Sequence, residues 1–197
     1  MPSLRYLCAL IISSALCTIA GAQSKTKELS FPSDEEIRLV LTQADRAVVQ
    51  YKPLLNQEEK LLGKEGEVAV AKDREVIAGL ELAIKAFGKN PQSFNGPLGF
   101  SFFEWLDDAS RNAMLCSSHG VSKSVEALLD GNKEAAESEL QLSQSCNDVS
   151  TLLYTVSENA GALYTRYVEA AAQLAERGAE AAAKCGAILK QKGIVYR

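Results

Sequence analysis

The residues best suited to chemistry sit together at Cys116-Ser117-Ser118-His119, where a thiol and the chain's single histidine lie one helical turn apart. With Cys146 they offer three soft-metal ligands. A structural zinc site takes four, and no fourth is evident unless Cys185 folds back. A Ser-His-Asp arrangement would have to draw Ser117 or Ser118 from the same turn as His119, which is poor geometry for a triad. There is no Cys-x-x-Cys-His, no phosphate-cradling glycine loop, no His-Glu-x-x-His, no Gly-x-Ser-x-Gly and no EF-hand loop. The expectation is a chain that is not an enzyme and holds no cofactor and no metal.

The cysteines are better constrained as a disulfide. If residues 101–160 form a helical hairpin about Gly131, Cys116 and Cys146 stand at equal distances on either side of the turn. Both lie on apolar stripes, Cys116 with Ala109 and Ala113, Cys146 with Leu142 and Val149. Helices about 9 Å apart, with Cα radius about 2.3 Å, bring facing Cα atoms to about 4–5 Å, inside the disulfide range. A Cys116–Cys146 bridge is therefore expected and excludes the metal set. Cys185 is left as a candidate free thiol in the small-residue run Ala181-Ala182-Ala183-Lys184-Cys185-Gly186.

Phe94, Phe100, Phe102, Phe103 and Trp105 crowd into twelve residues beside Gly96-Pro97-Leu98-Gly99. Phe102, Phe103 and Trp105 point three ways on a helix, so one core face cannot bury them all. Phe94, Phe100, Phe103 and Trp105 are the candidate interaction surface, because aromatic anchors dominate interfaces. Nearby, Glu104 and Asp108 share a face at i,i+4, and Asp107 can pair with Arg111. Two carboxylates on one face can act as acid and base or hold a cation; the commoner reading is a solvated helix face.

The elements that must position these groups read as helices. Ser33-Asp34-Glu35-Glu36 is a capping box. Ile37, Leu41, Ala44, Val48, Tyr51, Leu55 and Leu62 then form one stripe, interrupted only by Glu58, with a kink expected from Pro53 near Val49. After a turn at Gly63 and Gly66, a second helix is expected over about 67–87, ended by Gly88-Lys89-Asn90-Pro91. Ser101-Phe102-Phe103-Glu104 reads as the start of a third, reaching Leu129 and loosened at residues 117–120. After Asp130-Gly131-Asn132, helix resumes at Lys133 and keeps an apolar step to Ile188, with a bend or break expected at Asn159-Ala160-Gly161 and loosening at Gly178. The phrase Leu129–Ala136 resembles the mid-repeat turn of tetratricopeptide helical pairs, but no second copy follows at the repeat spacing of about 34 residues. With no alternating strand pattern, the fold class is all-α: an antiparallel helical bundle of four to five long helices.

A leading Arg5, an apolar stretch to Ala20 and the exit Ala20-Gly21-Ala22 have the three parts of a secretory signal. The expected organisation is signal peptide 1–22, flexible leader 23–32 and bundle 33–192, in a secreted or periplasmic protein with no membrane span after cleavage. The chain of 197 residues carries 21 basic and 25 acidic residues, net −4. That balance argues against a nucleic-acid partner. The leading expectation is a non-catalytic interaction or structural module that binds an unknown protein partner or itself. Its association surface would be Ala171, Ala175, Gly178, Ala179 and Ala182. The alternative is a carrier of a small apolar ligand or metal in a pocket between helices, closed by the 88–100 loop.

Overall fold

The computed structural model describes residues 30–191. The expected signal peptide, and the leader as far as Leu29, lie outside the described residues. The described chain is an all-α bundle of four helices: α1 (Asp34–Leu62), α2 (Lys64–Lys89), α3 (Pro97–Leu129) and α4 (Lys133–Gln191), with a short 3-10 helix, Pro91–Asn95, between α2 and α3.

The sequence dictates α1 from its first turn. Ser33 accepts a hydrogen bond from the Glu36 backbone N–H, and the Glu36 carboxylate accepts one from the Ser33 backbone N–H at 2.8 Å. Three acids in the first turn suit the positive end of the helix dipole. Arg166 of α4 donates to Glu36 at 2.6 Å, and that bond, with those from Ser33, holds the Glu36 carboxyl down to about 2. The expected stripe from Ile37 to Leu55 is buried, and Pro53 is carried inside the helix. The leader is less loose at its end than expected: Phe31 lies 6.1 Å from the Tyr167 ring, and Pro32 is buried.

Three boundaries differ from expectation. The α1–α2 joint is the single residue Gly63, at φ +61°, so α2 begins at Lys64 rather than near Glu67. A left-handed glycine reverses the chain without a loop. Next, α3 starts at Pro97 rather than Ser101, because proline at a first helical position has its φ preset and its missing donor is not needed there. Finally, neither α3 nor α4 breaks at the predicted weak points; α4 runs unbroken for 59 residues, about 88 Å. A Cβ at Gly161 would meet the Phe103 ring at 3.9 Å, so α4 is packed on α3 there, and a single interior glycine costs a helix only about 1 kcal/mol.

Helices α3 and α4 pair most extensively, as do α1 and α2; α1 also lies on α4, and α2 on α3. The α3–α4 seam is built from small residues in heptad register. Ser110 and Ser150 each donate to the other's carbonyl, at 2.9 and 2.8 Å. One heptad along, the Ser117 and Ser143 hydroxyls meet at 3.1 Å, and Ser124 donates to the Ala136 carbonyl at 2.9 Å. Gly120 lets the backbones close up: a Cβ there would stand 2.8 Å from the Glu139 carbonyl oxygen. The expected Cys116–Cys146 disulfide crosses this seam with Cα atoms 5.9 Å apart. Cys185, half-buried far along α4, has no disulfide partner.

Candidate functional site

The aromatic corner divides in two. Phe94 and Phe102 are fully buried and meet Phe87 edge-on, with ring centroids 5.4 and 5.5 Å away. Phe94 is therefore core, a correction to its reading as surface. The cause is the 3-10 helix, which turns its ring inward, and Gly99, whose missing side chain admits the Phe94 backbone: a Cβ there would fall 1.9 Å from the Phe94 carbonyl oxygen. Trp105 is half-buried, and its ring lies within 3.4 Å of the Cβ position of Gly79 on α2. It is a helix-packing residue more than a free anchor.

Phe100 and Phe103 take the other direction, toward α4. Their centroids are 5.0 Å apart, and both pack on Tyr164, at 5.8 and 6.3 Å. Tyr164 continues to Tyr167 at 6.0 Å, and Tyr167 to Phe31. Five rings thus form a surface strip at the α3–α4 crossing. Beside it opens an apolar groove of about 360 Å³, walled by Phe100, Phe103, Tyr164 and Val168, with Gly161 and Thr165 between and Glu169 at its edge. Phe100 is 43% exposed and Val168 47%, so the groove faces solvent. The Glu104/Asp108 pairing does not form a site: Arg111 engages both Asp107 and Asp108, the latter at 3.4 Å.

A second polar cluster is buried between α1, α2 and α3. Glu58, only 2% exposed, accepts or shares a proton with His119 Nδ1 at 2.8 Å through Oε1, while its Oε2 has no hydrogen-bond partner. Tyr51, fully buried, donates to Asp73 Oδ2 at 3.2 Å. Burial pushes the Asp73 carboxyl up to about 6, the Glu58 charge adds to this, and the Tyr51 hydrogen bond partly offsets it. Burial, with the two carboxylates beside it, drives the Tyr51 phenol upward, so it stays protonated and donates. The signal for this cluster lay in the sequence as acids on apolar stripes: Glu58 on that of α1, and Asp73 in the Val70, Asp73, Ile77, Leu80 step of α2.

His119 thus serves Glu58. Neither neighbouring serine faces it: Ser117 bonds across the seam, and Ser118 donates to the Met114 carbonyl. The disulfide consumes both cysteines of the metal set, and among the described residues no group of three or more His, Cys, Asp or Glu is placed to hold a metal ion. No family model, curated protein or solved structure matches this chain.

Proposed function

We propose that this chain is an exported, non-catalytic interaction module that pairs with a second copy of itself through the far half of α4. The observation that carries this reading is where burial stops. Among the residues of α4 whose burial is described, Ala170 is the last buried one, and the helix continues to Gln191 with Leu174 and Ile188 about half exposed, at 54% and 52%. Some 20 residues, about 30 Å of helix, therefore stand beyond the bundle. A disulfide across the core suits an oxidising compartment.

Small residues favour an antiparallel pair. Antiparallel pairing about Ala182 sets Gly178 opposite Gly186 on one face of the helix, so the helices can approach closely where side chains are smallest. Analytical ultracentrifugation of the oxidised chain tests this. The wild type is expected to dimerise, and Ala182→Glu, an exposed position, to be monomeric with an unchanged melting temperature. A wild-type chain that stays monomeric at its highest soluble concentration refutes the reading.

A further inference from the structure

The aromatic groove has an electrostatic character that self-association leaves unused. We propose that the groove between α3 and α4 is a docking site for a basic side chain, arginine or lysine, carried on an apolar segment of a partner protein. The walls supply one half of the fit. Phe100, Phe103 and Tyr164 present ring surface with centroids 5.0–6.3 Å apart, and ring faces carry the negative lobe of the quadrupole. Val168 completes an apolar surface that the alkyl stem of a long cation can cover.

The acids supply the other half. Glu169 lies at the groove's edge. Glu104 follows Phe100 by one turn on α3, and Glu158 precedes Gly161 by one turn on the face of α4 that forms the groove. All three are exposed, and none has an ion-pair partner among the described residues. The bases on the same stretches of helix are already engaged, Arg111 with Asp107 and Asp108, Arg166 with Glu36. What remains is an aromatic trough with an unneutralised acidic margin, complementary to a cation with an apolar stem. A groove of about 360 Å³ accommodates one such side chain and part of its neighbours.

The test titrates the full-length oxidised protein by calorimetry with a capped hexapeptide bearing one arginine among leucines. Its twin carries citrulline, which keeps the shape and removes the charge. An exposed cation–π contact together with an exposed ion pair predicts that the arginine peptide binds about five- to tenfold more tightly. Glu169→Gln combined with Glu104→Gln should abolish that preference, and Phe100→Ala, at an exposed position, should weaken both peptides. Ala182→Glu should bind as the wild type does, which separates this proposal from self-association. Equal binding of the two peptides, no binding of either, or a preference that survives the double glutamine variant overturns the proposal. So does co-sedimentation with phosphatidylcholine vesicles in the absence of peptide binding, which would assign the groove to a lipid headgroup.

Discussion

Asp73→Asn should stabilise this protein at neutral pH and leave it unchanged in acid. Asp73 is 8% exposed, packed at the α1–α2 interface with Tyr51 and Glu58, with His119 of α3 and its helix neighbour Lys72 also acting on it. Its carboxyl titrates near 6 in the folded protein against an ordinary value of 3.8. Between those values the folded state holds the proton more tightly than the unfolded chain, so stability is fully present below 3.8 and is lost as pH rises through 6. At 1.36 kcal/mol per pKa unit, the ionised carboxylate costs about 3 kcal/mol above pH 7. Asparagine has the same shape, cannot ionise and still accepts from the Tyr51 hydroxyl. Urea unfolding of the oxidised protein should therefore show a variant more stable than wild type by up to about 3 kcal/mol at pH 7.5, with the difference vanishing by about pH 3. A variant less stable than wild type at pH 7.5, or shifted equally at both pH values, would show that the charge on Asp73 is not what limits this part of the core.

Two other perturbations address the α3–α4 seam. Replacing Cys116 and Cys146 together by alanine opens a loop of 30 residues, and the chain-entropy relation predicts a loss of about 3.5–4 kcal/mol in urea unfolding. Reduction of the wild type should reproduce that loss. Gly120→Ala pushes a methyl to 2.8 Å from the Glu139 carbonyl and 2.9 Å from the Ser143 Cβ. It should destabilise by about 1–3 kcal/mol through overpacking, whereas Gly178→Ala, where a Cβ meets nothing, should leave thermal unfolding unchanged or raise its midpoint.

Local physics made much of this fold legible from sequence. The Ser33 capping box, the apolar stripe of α1 and the ends of α2 and α3 depend on residues three or four apart, and such spacing is visible along one strand of text. The Cys116–Cys146 bridge was also readable, because a turn at Gly131 fixes which positions of an antiparallel hairpin face each other. The tertiary structure decided the rest. Phe94 and Phe100 have the same composition and nearly the same neighbours, yet one fills the core and the other walls a groove. What separates them is the close backbone approach that Gly99 allows, a contact between segments. The break expected at Asn159-Ala160-Gly161 did not occur, since helix propensity is a weak preference that packing overrides. Glu58, Asp73, Tyr51 and His119 lie on three helices, and only packing made their charges neighbours. Sequence spacing thus determined which faces are apolar and where α2 and α3 end. The side chains that meet across those faces, and the carboxyls whose proton affinity changed as a result, were set by distances between helices that no single segment encodes.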